Sequence, residues 1–143
     1  MNLYTIGFSK KSAEEFFDIL KSNKVIRLID VRLNNNSQLA GFTNVKHLPY
    51  FLQIHDIEYL YRPDFAPSKE LLNGYKNKSI SWTEYEIEYD KILIQRNIVE
   101  KIDWNIFRDA VLLCSELTPE KCHRRLLAEY LAKHSNEIKI KHL

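Results

Sequence analysis

Val25-Ile26-Arg27-Leu28-Ile29-Asp30-Val31 is nearly continuous apolar sequence with an acid near its end. That is the pattern of a parallel strand buried on both faces, and the fold follows from it. Reading backward, Ser12-Ala13-Glu14-Glu15 has the capping-box spacing that opens a helix, and Phe16, Phe17, Ile19 and Leu20 supply its apolar face. Before the helix, Leu3 to Ile6 is a short β-rich run stopped at Gly7. Strand, helix and strand make a βαβ unit.

Reading forward, Asn34 to Gly41 is polar and turn-rich, an exposed loop directly beyond the strand. Val45 to His55 is an expected helix that Pro49 should start or kink, and Ile57 to Tyr61 is a third strand. Arg62 to Ile80, with Pro63 and Pro67, reads as a long surface excursion of the kind that serves as a functional loop or lid. Ser81-Trp82-Thr83-Glu84 resembles another capping box ahead of Tyr85 to Ile94, and a further helix is expected over Ile98 to Phe107. Ala110 to Cys114 is the clearest buried strand. Thr118-Pro119 supplies an N-cap and a first-turn proline for a helix striped by His123, Leu126, Leu127, Tyr130 and Leu131, and Ile138 to Ile140 closes the series as a strand. Alternating strands and helices imply an α/β fold: a single domain over residues 1–143, with a mainly parallel sheet flanked by helices on both faces.

Composition agrees with an ordinary globular domain, 45% hydrophobic and 28% charged with three glycines and four prolines among 143 residues. The first residues lack the charged and apolar regions of a signal peptide, and no apolar run approaches membrane-spanning length. The expected location is the cytoplasm, with no membrane partner. In that reducing compartment Cys114 and Cys122 are expected to be thiols. A net charge of +2 neither demands nor forbids a polyanionic partner.

Parallel sheets carry ligands at the carboxyl ends of their strands. There Gly7-Phe8-Ser9, Asp30-Val31-Arg32 and Cys114-Ser115-Glu116 are expected to converge. Asp30 and Glu116 can act as an acid/base pair, or be structural acids for which Arg32 is the obvious partner of Asp30. The helix start near Cys122, with Arg32 and Arg124, suits a phosphate or carboxylate. Arg125 with Glu129 reads as a surface pair. Cys114 can be a small buried hydrophobe, Cys122 a thiol activated near a helix start, and His123 either a core histidine or a group held beside Cys114. Tyr4, Trp82 and Tyr85 could stack on a base, but at strand and helix spacing they read as core. The two cysteines, His123 and Glu116 offer zinc-ligand chemistry, but the seven residues between the cysteines fit no compact zinc motif, so no metal is assigned.

Tyr4-Thr5-Ile6-Gly7-Phe8-Ser9, Asp30-Val31-Arg32, Leu113-Cys114-Ser115-Glu116 and Cys122-His123-Arg124-Arg125-Leu126-Leu127-Ala128-Glu129 together resemble domain-of-unknown-function family 488 over nearly the whole chain. Ala66 to Leu71 and Ile80 to Tyr85 also resemble segments found in part of that family. The resemblance implies a compact α/β protein and names no reaction. One position departs from it: the family commonly has histidine after the first-motif glycine, where this chain has Phe8.

The expected function is an enzyme acting on a nucleotide, nucleic acid or other phosphate-bearing substrate. Arg32 and Arg124 hold the anion with Ser9, Cys114 and Cys122 nearby, and Asp30, Glu116 or His123 handles protons. A non-catalytic nucleotide or nucleic-acid binding module, and a thiol or metal site, are the alternatives. No cofactor and no oligomeric state is assigned.

Overall fold

A computed structural model describes residues 1–36, 41–116 and 119–143. Five strands, β1 (Asn2–Gly7), β2 (Arg27–Asp30), β3 (Glu58–Tyr61), β4 (Ala110–Cys114) and β5 (Lys139–His142), form one sheet in the order β3-β2-β4-β1-β5. Every strand pairing is parallel. The helices are α1 (Ala13–Ser22), α2 (Leu48–Ile54), α3 (Lys69–Lys76), α4 (Trp82–Gln95), α5 (Ile98–Lys101) and α6 (His123–His134).

Strand alternation distributes the core between the two faces. Tyr4 and Ile6 of β1, Leu28 of β2, and Val111 and Leu113 of β4 pack with Phe16, Phe17 and Leu20 of α1 and Leu48 and Leu52 of α2. The intervening residues Leu3, Ile29, Ala110 and Leu112 pack on the other face with Tyr85, Tyr89 and Leu93 of α4 and Leu127 and Leu131 of α6. Both faces are covered, as the βαβ reading requires. Each fully buried Leu or Phe contributes about 1.5–3 kcal/mol, so the two layers supply the main driving force for folding.

Local chemistry sets the helix starts. Ser12 caps α1 in a full capping box with Glu15, and Ser81 accepts the Glu84 N–H at the start of α4. Pro49 lies in the first turn of α2 and starts it rather than kinking it.

Three expectations are corrected. The Arg62 to Ile80 excursion contains α3, capped by Ser68 through the Leu71 N–H. The helix expected over Ile98 to Phe107 is broken: α5 ends at Lys101, Asp103 is extended, and its carboxylate caps a 3-10 turn over Trp104–Phe107. Finally, α6 starts at His123 with Cys122 as N-cap, while Pro119 belongs to a preceding turn closed by the Cys122 N–H on the Pro119 carbonyl at 3.3 Å. Thr118 and part of the loop expected over Asn34 to Gly41 lie outside the described residues.

Candidate functional site at the carboxyl edge of the sheet

Parallel pairing brings the ends of β1, β2 and β4 to one edge: Gly7 stands beside Cys114 and Asp30 beside Leu113. A cleft of about 1330 Å³ opens there. Of the residues singled out from sequence, Ser9, Arg32, Cys114, Glu116, Cys122 and His123 line it. Asp30 and Arg124 do not appear among its lining residues, and each is fully buried.

Asp30 is bound to Arg32 in a two-pronged pair, Nε to Oδ1 at 2.8 Å and Nη2 to Oδ2 at 2.9 Å. The Tyr59 hydroxyl donates to Oδ2 at 2.7 Å, and Arg32 Nη2 also donates to the Thr43 carbonyl at 2.7 Å. Burial and the Asp30 carboxylate push the Tyr59 phenol well above its ordinary range, so it stays a donor. Asp30 therefore orients the guanidinium that edges the cleft. Arg32 Nη1 is buried without a hydrogen-bond partner among the described residues.

Arg124 extends back from α6 toward β1. Its Nη1 donates to the Glu116 carbonyl at 2.7 Å and its Nε to Thr5 Oγ1 at 3.3 Å, and its Nη2 is likewise buried without a partner among the described residues. Burial lowers its pKa to about 10, which leaves it charged at neutral pH. The Ser9 N–H and hydroxyl both donate to the Ser115 carbonyl, the former at 3.0 Å. Arg124 and Ser9 thus hold the backbone that follows β4 against the one that follows β1. Gly7 allows this close approach, because a Cβ there would lie 1.5 Å from the Glu116 carbonyl oxygen. The Glu116 side chain is exposed and is the one carboxylate among the described lining residues.

The floor of the cleft holds sulfur. Cys114 at the end of β4 and Cys122 at the α6 N-cap meet there sulfur to sulfur, with their Cα atoms 7.3 Å apart, wider than the roughly 4.4–6.8 Å usual for disulfides. His123 sits beside them. Its Nε2 is 2.7 Å from the Val31 carbonyl, and a carbonyl only accepts, so Nε2 carries the proton. The Nδ1 lone pair then faces Cys114 Sγ at 3.6 Å. Burial holds the imidazole pKa at about 4, so the ring is neutral at pH 7.

The basic walls went unread in the sequence. Lys10 and Lys11 follow β1, Lys76 and Lys78 come from α3 and its end, and Lys121 precedes α6. With Arg32 they place six basic side chains against Glu116. Lys11 Nζ donates to the Gly7 carbonyl at 2.8 Å, and burial with nearby Arg124 lowers its pKa. Tyr75, Trp82 and Tyr85 form an aromatic wall in which Trp82 and Tyr85 stack with centroids 4.7 Å apart and planes 14° apart. Tyr85 is core, as read, and edges the cleft as well; Trp82 is only half-buried. The Lys10-Lys11 pair was visible in sequence, but the lysines of α3 reach the cleft only through tertiary packing. Arg125 forms the expected pair with Glu129 at 3.0 Å and adds Glu86 of α4 at 2.9 Å.

These features define a parallel α/β protein with a basic, aromatic-walled cleft at the carboxyl edge of its sheet. The family model "Domain of unknown function DUF488" matches residues 12–131, and the chain belongs to that family. No curated protein and no solved structure gives a significant match. Among the described residues no helix is long and apolar enough to cross a membrane.

Proposed function

We propose that the protein is an enzyme acting on a phosphate-bearing substrate that also carries a flat ring, the chemistry of a nucleotide. The observation that carries this reading is the cleft itself, with Lys10, Lys11, Arg32, Lys76, Lys78 and Lys121 set against one carboxylate beside the half-buried face of Trp82. Like charges gathered around a concave, partly dry space repel one another, and a bound anion relieves that repulsion. Arg32 Nη1, unpartnered among the described residues, points to the same need, since a buried guanidinium N–H without an acceptor costs about 1–3 kcal/mol. An oxygen of the substrate is a natural acceptor. The ring would stack on Trp82, a contact worth about 1–3 kcal/mol per base in nucleic-acid systems.

Within this reading Glu116 handles protons, because it is exposed on the lining and free of ion pairs among the described residues. Asp30, fully committed to Arg32 and Tyr59, sets the direction of the guanidinium. Arg124 positions the Ser115-Glu116 backbone from behind and does not touch the substrate.

Calorimetric titration with nucleoside mono-, di- and triphosphates, followed by product analysis, tests the proposal. Binding should weaken as salt rises. The exposed pair Lys76→Glu with Lys78→Glu should weaken it further, and Glu116→Gln should abolish turnover while keeping affinity. Binding indifferent to salt and to the charge reversals would refute the cleft assignment. Binding without turnover in the native chain would leave a non-catalytic module.

A further inference from the structure

We propose that Cys114, Cys122 and His123 form a binding site for a thiophilic divalent metal of the zinc class when the two sulfurs are reduced. The three ligand atoms, all buried, lie within 4.8 Å of one another, two sulfurs and one imidazole nitrogen. This donor set suits zinc, which takes cysteine at about 2.3 Å and histidine at about 2.0–2.1 Å in tetrahedral geometry. Those bond lengths require a sulfur-to-nitrogen edge of about 3.6 Å. The Cys114 Sγ to His123 Nδ1 separation is 3.6 Å.

The imidazole is prepared for the role. Nε2–H is anchored on the Val31 carbonyl at 2.7 Å, which fixes the tautomer and turns the Nδ1 lone pair toward the sulfurs. Metal-binding histidines are oriented in just this manner, by donating their other N–H to a backbone carbonyl or a carboxylate. The backbone also suits two separate sulfurs, since the 7.3 Å Cα separation exceeds the roughly 4.4–6.8 Å usual for disulfides. Closing the disulfide and holding a metal are then alternative uses of the same pair. Binding converts two thiols into two metal-bound thiolates and releases two protons to solvent, with no change of oxidation state.

Three protein ligands leave one tetrahedral position unfilled, the arrangement of catalytic rather than structural zinc. Cys114, Cys122 and His123 all line the cleft, so the fourth position would open toward the six basic side chains. There a water or a substrate oxygen could be polarised. Only this last assignment rests on the proposed function; the metal site stands without it. The seven-residue spacing that resembled no compact zinc motif is no obstacle, because the ligands are gathered by the end of β4 and the start of α6 rather than by one short loop.

The test uses the full-length chain, purified with a reductant that does not bind metal and checked for two free thiols. It is titrated with zinc against a chromophoric chelator, and separately with cobalt(II), whose thiolate complexes absorb in the near ultraviolet and whose tetrahedral complexes absorb strongly in the visible. The expected result is about one metal per chain with both cobalt bands. Cys122→Ser should lose the stoichiometric binding, and His123→Ala should change the visible band and weaken the complex at least about tenfold. No cobalt–thiolate band in the reduced native chain would overturn the proposal, as would unchanged binding in Cys122→Ser. Should the variants fail to fold, protection of the native thiols from alkylation by zinc gives the same decision: protection supports the site and its absence overturns it. Nucleotide titration of the metal-free disulfide form, read separately, shows whether the anion cleft stands or falls independently.

Discussion

Replacing Gly7 with alanine should damage the site more than any other single methyl group added to the chain. The new Cβ would stand 1.5 Å from the Glu116 carbonyl oxygen, 2.6 Å from its carbon and 2.8 Å from Arg124 Nη1. Real Cβ contacts essentially never fall below 3.0 Å, so the carbonyl must retreat by about the length of a covalent bond. Such a shift breaks the 2.7 Å hydrogen bond from Arg124, which already has one buried nitrogen without a partner among the described residues. A hydrogen bond to a charged group is worth about 1.5–3 kcal/mol, and forced overpacking costs about 1–3 kcal/mol. A destabilisation of about 3–5 kcal/mol follows, a large share of the stability of a domain this size. Urea unfolding should show a lower midpoint at unchanged slope. Gly74→Ala in α3 is the control: its Cβ meets only the Ile80 side chain at 3.6 Å, and a helical Gly→Ala change should stabilise by up to about 1 kcal/mol. A Gly7→Ala midpoint within about 0.5 kcal/mol of the native chain would refute the account of how the two loops are joined.

Three further outcomes are expected. Asp30→Asn leaves Arg32 as a buried cation with weakened pairing, so stability should drop by about 3–5 kcal/mol in denaturant unfolding, and a loss under about 1 kcal/mol would show that the pair matters little. Burial holds His123 near pKa 4 against an ordinary 6.5, so below pH 6.5 the unfolded chain binds a proton that the folded chain refuses. Stability should therefore be lost as pH falls from about 6.5 to about 4, by about 3 kcal/mol in the metal-free chain, and a His123→Asn variant should lack that component. Lys24 follows α1 with φ 56°, a left-handed conformation that costs a side-chain-bearing residue about 1–2 kcal/mol, so Lys24→Gly should gain up to about 1 kcal/mol in thermal unfolding despite its looser unfolded state.

That left-handed position also explains what the sequence hid. The strands were legible because a parallel sheet covered on both faces demands unbroken apolar runs, and Val25 to Val31 and Ala110 to Cys114 supply them. The helix starts were legible where serine caps them. The helix ends were not, because the residues that turn the chain after α1, α2, α3 and α4 are Lys24, Asp56, Lys78 and Asn97, all with positive φ and none of them glycine. In α3 the only glycine lies inside the helix and Leu71 alone is fully covered, so the segment resembles a loop. Pro119 signalled a helix start that the structure does not use. The chain first turns through Pro119 to Cys122, which carries Cys122 back to Cys114 before α6 begins.

The candidate site divides in the same manner. Its floor was readable because the sheet edge fixes which residues meet there, and the Asp30–Arg32 partnership needs only two residues of separation. What spacing could not express was that Arg124 points away from the cleft, or that two cysteines eight positions apart would share one histidine. The basic walls come from a different source, exposed lysines on α3 and on the turns after β1 and before α6, none of which holds the sheet together. Floor and walls therefore answer to different constraints. A change at Gly7, Asp30, His123 or Arg124 disturbs buried hydrogen bonds and alters fold and chemistry together. A change at Lys10, Lys76, Lys78 or Lys121 leaves the core intact and can alter only what the cleft attracts. If charge reversal at Lys76 and Lys78 lowered the unfolding midpoint as much as Gly7→Ala, that separation would be wrong, and the lysines would have to be counted as part of the framework.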